Sequence, residues 1–181
     1  MSPADRILGA VIAGGASRRF GSDKALALID GRPMLAHVAD ALRPQVAALV
    51  VCGRGWPHEC TLPDLRDGGL GPLAGLEAAL AHAARQSFDA VLAVPVDTLP
   101  LPDDLVERLH GNGPAVFEHQ HLIGYWPASL AMMLGRYIDA GGRSVAAWNR
   151  HAHARIVEEP ATIGNINTPA ELDALDIGIP A

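Results

Sequence analysis

The chain is poor in the residues that would place it in several large protein classes. It has two cysteines, Cys52 and Cys60, and no C-x-x-C pair. That excludes a disulfide framework and a zinc knuckle, and it fits a reducing cytosol. Positive charge is also scarce: 14 lysines and arginines face 20 aspartates and glutamates, a formal net charge of -6. A protein that grips nucleic acid through its overall field is thereby excluded, although a small anion needs only a local cluster of cations. Aromatic residues make up only 4% of the chain, which leaves the core to aliphatic and alanine side chains. The early apolar run from Ile7 to Ala13 is too short to span a membrane, and no small-residue cleavage site follows it in the right context. Linkers, repeats and low-complexity tracts are missing. The expectation is a soluble, unprocessed, cytoplasmic chain of one domain, with neither nucleic acid nor membrane as a partner.

What is present alternates. Ile7–Ala13, continuously apolar and closed by two glycines, predicts a strand buried on both faces. A helix starts near Pro33, presents Leu35, Val38, Ala39 and Leu42 on one face, and stops at Pro44. Val46–Cys52 predicts a second strand; Pro72 opens a second helix with Leu73, Leu76, Leu80 and Ala83 at helical spacing. Asp89–Asp97 predicts a further buried strand, followed by a short helix over Pro102–Leu109. Shorter strands are expected at Ala115–Phe117, His121–Trp126 and Arg155–Val157, with helices over Ser129–Ala140 and Arg143–His151. Thr168, with Pro169 and Glu171 after it, reads as the capping box of a last helix. This rhythm predicts a single-domain, three-layer α/β/α sandwich with a mostly parallel, Rossmann-like sheet. Its nucleotide-binding half would run over about 7–100, and its acceptor-substrate half, including the irregular stretch Gly111–Trp148, over about 101–175.

Three motifs carry chemistry. In Ile12-Ala-Gly-Gly-Ala-Ser-Arg-Arg-Phe-Gly-Ser-Asp-Lys24, a glycine pair after a buried strand lets backbone N–H groups turn toward an anion. Ser17 can donate a hydrogen bond there, while Arg18, Arg19 and Lys24 can neutralise phosphate oxygens. Asp97, in Pro95-Val-Asp-Thr-Leu-Pro100, leaves the carboxyl end of a strand, where its hard oxygens suit Mg²⁺ or simply cap a turn. Asn165 and Asn167, in Gly164-Asn-Ile-Asn-Thr-Pro169, alternate on an extended segment and offer amide oxygens to one side, or else initiate the last helix.

Other patterns lead elsewhere. G-x-x-x-x-G-K-[ST] is absent. Gly69-Leu-Gly71-Pro-Leu-Ala74 matches G-x-G-x-x-A, but no convincing strand precedes it, and Asp89 begins its strand where a ribose-binding acid should end one. The pairs His119/His121 and His151/His153 have the spacing that puts both rings on one strand face, yet neither has a third ligand at zinc spacing. They read as solvated.

Taken with Gly71-Pro-Leu-Ala-Gly75, the three motifs resemble the molybdenum cofactor guanylyltransferase family, in order, from about Ile7 to Leu175. The resemblance implies transfer of GMP from GTP to molybdopterin, with pyrophosphate released and Mg²⁺ as cofactor. It implies that Ile12, Ala13 and Gly14, with Gly15 in the same turn, hold the nucleotide, and that Lys24 contacts its phosphates. Asp97 would hold Mg²⁺ and contact GTP, with Asn167 as a second metal ligand. Arg19 and Lys24 would stabilise the departing pyrophosphate. An aspartate before Gly-Pro-Leu-Ala-Gly contacts the nucleotide in this family, and Asp64 fits its spacing better than Asp67. Cys52 stands where the family often has asparagine, so recognition there falls to backbone or to a neighbour. Arg143 is a candidate cation for the pterin side, and molybdoenzymes or other cofactor-biosynthesis proteins are candidate transient partners. Two other readings stay open: a cytidylyl- or sugar-phosphate nucleotidyltransferase, and a non-catalytic nucleotide-binding adaptor.

Overall fold

The apolar run after Arg6 forms strand β1 (Ile7–Ile12), and all six of its residues are buried. A segment without a polar face is stable only where both faces of a sheet are covered. In the computed structural model, residues 6–14, 23–57, 59–67, 69–161 and 163–166 are described. A small hairpin, β2 (Leu28–Ile29) with β3 (Arg32–Pro33), leads into α1 (Met34–Leu42). Pro33 is thus the cap before the helix and not its first residue. Next come β4 (Ala48–Cys52), β5 (Cys60–Leu62), α2 (Pro72–Arg85), β6 (Ala90–Pro95) and α3 (Leu105–Leu109). The described chain continues through β7 (Ala115–Phe117), β8 (Gly124–Pro127), α4 (Ala131–Asp139), α5 (Val145–His151) and β9 (Arg155–Val157).

Among the described residues the main sheet has seven strands in the order β5-β4-β1-β6-β8-β7-β9. β5, β4, β1 and β6 pair in parallel, as do β7 and β9, while β8 runs antiparallel to both β6 and β7. The sheet is therefore mostly parallel, as expected, with one reversed strand in it. Alternation along β1 splits the core. Ile7 and Val11 join Leu92 and Val94 beneath Met34, Leu35, Val38 and Leu42 of α1 and Leu105 and Leu109 of α3. Leu8, Ala10 and Ile12 face the other way, toward Leu73, Leu76 and Leu80 of α2, Leu134 of α4 and Trp148 of α5. Helices on both faces make the three layers. Each leucine buried this way contributes about 1.5–3 kcal/mol of transfer free energy.

Several boundaries differ from the sequence reading. The second strand begins at Ala48, and β8 begins at Gly124, because His121 lies in the turn before it. The helix expected over Ser129–Ala140 divides into a 3₁₀ turn, Ala128–Leu130, and α4. The last helix, from Thr168, falls outside the described residues. No helix among the described residues is long and apolar enough to cross a membrane.

Candidate functional site

The carboxyl ends of β1, β4 and β6 lie side by side, with Ile12 in register with Cys52 on one flank and Pro95 on the other. The pairing runs on into the loops. Ala13 N–H donates to Cys52 O at 3.0 Å, Val96 N–H to Ile12 O at 3.1 Å, and Gly53 N–H to Leu62 O at 3.0 Å. Open α/β sheets bind their ligands at this edge. Two of the loops touch through glycine backbone. A Cβ on Gly53, whose φ is +83°, would stand 2.5 Å from Gly14 Cα. Only glycine allows both the left-handed conformation and the contact.

Lys24 opens a 3₁₀ turn (Lys24–Leu26) whose cap is Asp23, its carboxylate accepting from Ala25 N–H at 3.2 Å. The turn aims Lys24 Nζ at Asp97 Oδ2, 2.8 Å away, with side chains 12% and 29% exposed. Asp97 is not part of β6 but lies in the turn beyond it. Its carbonyl accepts from Ile166 N–H at 2.9 Å, and Thr98 forms an isolated antiparallel bridge with Asn165. The buried Thr98 hydroxyl donates to Asn165 Oδ1 at 3.2 Å, and Asn165 Nδ2 donates to Gln120 Oε1 at 3.1 Å. The third motif is therefore stitched to the second.

On the β4–β5 side lies a cavity of about 260 Å³, lined by Gly53, Arg54, Gly55, Thr61, Pro63 and Asp64. Burial pushes the Asp64 carboxyl above the usual aspartate range. Arg54 donates from both terminal nitrogens to Asp23, and this hydrogen bonding holds the Asp23 carboxyl below its ordinary value. Asp64 lines this cavity; Asp67 does not. Cys52 is fully buried, and burial pushes its thiol up to about 12. Its side chain faces α2, where a Cβ on Gly75 would meet Cys52 Cβ and Ile12 Cγ2 at 3.1 Å. Cys52 therefore has only backbone to offer a ligand, and its carbonyl already accepts from Ala13.

The structure thus brings together Ile12, Ala13, Gly14, Lys24, Asp64 and Asp97 at one edge of the sheet. Gly15, Ser17, Arg18, Arg19 and Asn167 lie outside the described residues. Neither histidine pair sits on a strand: His119 and His121 are in the β7–β8 connection, and His151 and His153 are at and just beyond the end of α5. Among the described residues, no three His, Cys, Asp or Glu side chains group into a metal cage. Arg143 donates to Ile138 O at 3.0 Å and Gly142 O at 2.7 Å, closing the end of α4. Gly71 caps α2, and Leu62 ends β5 well before the Gly69 turn, so this glycine pattern does not join a strand directly to a helix. Sequence reading missed Arg54. Its signal was available, because it follows the strand-ending Cys52-Gly53 just as cationic residues follow Gly14-Gly15.

Comparison with known proteins shows the family and the fold. The family model described as MobA-like NTP transferase domain matches residues 9–155. The molybdenum cofactor guanylyltransferase of Acidiphilium cryptum is 39% identical over 183 aligned residues, covering 93% of each chain. Molybdopterin-guanine dinucleotide biosynthesis protein A of Archaeoglobus fulgidus superposes with a TM-score of 0.72 at 23% identity, over 92% of this chain and 95% of its own. A 2-C-methyl-D-erythritol 4-phosphate cytidylyltransferase from Thermus thermophilus shares the fold at a TM-score of 0.64 and 17% identity, over 92% and 95%.

Proposed function

Since the chain belongs to the MobA-like NTP transferase family, we propose that it transfers GMP from GTP to molybdopterin and releases pyrophosphate. The observation that carries this reading is the Lys24–Asp97 pair, 2.8 Å apart, beside the cavity that holds Asp64. One charge suits a phosphate and the other a cation, at the sheet edge where a triphosphate would lie. Guanine occupies the Asp64 cavity, where a carboxylate accepts from neighbouring N–H donors on one edge of the base. Ile12, Ala13 and Gly14, with Gly15, present backbone groups to the nucleotide, and the contribution of Cys52 is likewise backbone.

The reaction asks for alignment and charge neutralisation more than for proton transfer. The terminal phosphate of molybdopterin attacks the α-phosphate of GTP in line, and pyrophosphate leaves. Lys24 and Arg19 neutralise the departing group. The donor chemistry fits Mg²⁺, which Asp97 would hold through a hard carboxylate and Asn167 through an amide oxygen. When bound, the metal polarises phosphate oxygens. Residues of about 7–100 form the nucleotide half. Those of about 101–175 form the acceptor half, within which Asn165 donates to Gln120. The setting is cytoplasmic, and product passes by transient contact to molybdoenzymes or other cofactor-biosynthesis proteins.

The test is pyrophosphate release with GTP or CTP, in the presence of molybdopterin and Mg²⁺. GTP supports release under this reading. Preference for CTP would make the chain a cytidylyltransferase, and release with neither would make it a nucleotide-binding adaptor.

A further inference from the structure

Arg54 lies immediately after the glycine contact that joins the β1 and β4 loops, and it lines the cavity containing Asp64. Its Nη1 donates to Asp23 Oδ1 and its Nη2 to Asp23 Oδ2, each at 2.5 Å. Its Nε is sealed from solvent and has no hydrogen-bond partner among the described residues. A bidentate pair fixes the plane of a guanidinium as well as its position. Asp23 is itself fixed, because the same carboxylate caps the turn carrying Lys24. The cavity therefore has a carboxylate, Asp64, and a planar cation that is locked in orientation by a partner outside its lining. A guanidinium held this way attracts an aromatic ring to its face, and a purine offers a larger face than a pyrimidine.

We propose that Arg54 is a specificity-determining residue of the nucleotide site, its Asp23-locked guanidinium stacking on the purine base while Asp64 reads the base edge. The inference rests on the assignment of this cavity to guanine. It separates the two arginine functions that a phosphate-binding loop would otherwise merge. Arg54 serves the base, and its ion pair with Asp23 keeps its charge from competing for the triphosphate.

Calorimetric titration of the full chain with GTP and with inorganic tripolyphosphate, both with Mg²⁺, tests this directly. Arg54→Ala raises the Kd for GTP about tenfold and leaves that for tripolyphosphate within about twofold. Arg54→Lys behaves like Arg54→Ala, because an ammonium neither pairs bidentately nor offers a flat face. Three results overturn the inference: an unchanged Kd for GTP in Arg54→Ala, a wild-type Kd in Arg54→Lys, or a proportional weakening of tripolyphosphate. The last would make Arg54 a prop for the Lys24 turn. Failure of the wild-type chain to bind GTP would remove the guanine assignment together with this inference, whereas GTP binding that ignores Arg54 removes this inference alone.

Discussion

Gly53 and Asp97 show what single residues contribute at the edge of the sheet. A methyl group on Gly53 would need a left-handed conformation and would strike Gly14 at 2.5 Å. Gly53→Ala should therefore lose about 1–3 kcal/mol of stability in denaturant titration, and should weaken GTP binding as the two loops part. Asp97→Ala should do the reverse, abolishing pyrophosphate release while changing stability by only about 0–1 kcal/mol, the usual value of a partly exposed ion pair. Near-normal turnover in that variant would remove Asp97 from the site. Lys24 and Asp97 were legible in the sequence because each follows a recognisable strand in a motif with charge. The direction of Cys52 was legible too, though only by counting along the strand. Val50 and Cys52 share one face of β4 and face α2, while Leu49 and Val51 face α1. Arg54 was harder to read, because its meaning depends on Asp23, which is distant in sequence.

At the scale of elements, arginines tie the loops around the cavity. Arg66, between β5 and α2, donates from Nε to both carboxylate oxygens of the buried Glu77 on α2, at 2.9 and 3.0 Å. It also pairs with Asp139 at the end of α4. The segment carrying Asp64 is thereby fastened to two helices. Arg66→Ala should lower the denaturation midpoint by leaving Glu77 buried and unpaired, and Glu77→Leu in the same background should restore much of the loss. The Arg54–Asp23 pair fastens the opposite wall. Its hydrogen bonds lower the folded-state pKa of Asp23 below the ordinary 3.8. Its stabilisation is therefore fully present above that value and disappears as pH falls through the folded one. The stability gap between wild type and Arg54→Ala should hold steady from neutral pH down to mildly acid pH and close only in strong acid. β1 and β6 announced themselves as continuous apolar runs, and α2 by its helical spacing. β5 did not, because its three residues are an edge strand with two exposed side chains. The reversal of β8 also carried no signal in the sequence, since strand direction depends on where the preceding turn sends the chain and not on residue pattern.

The whole molecule sets a net negative chain around a local cationic turn. That arrangement suits a small anionic substrate, bound by placed groups and not by a general field. The three-layer architecture followed from strands without a polar face, and the comparisons confirm it. Yet the same fold also serves a cytidylyltransferase, so architecture by itself does not choose the nucleotide. Under the function proposed above, that choice falls to the cavity lined by Gly53, Arg54 and Asp64. The most direct measurement uses GTP radiolabelled at its α-phosphate, incubated with the chain, molybdopterin and Mg²⁺, with the products separated. The account predicts that label leaves GTP and travels with the pterin, while a γ-phosphate label is recovered in pyrophosphate. Label that stays with GTP, or a parallel incubation in which label from α-labelled CTP and not from GTP reaches the pterin, would contradict it.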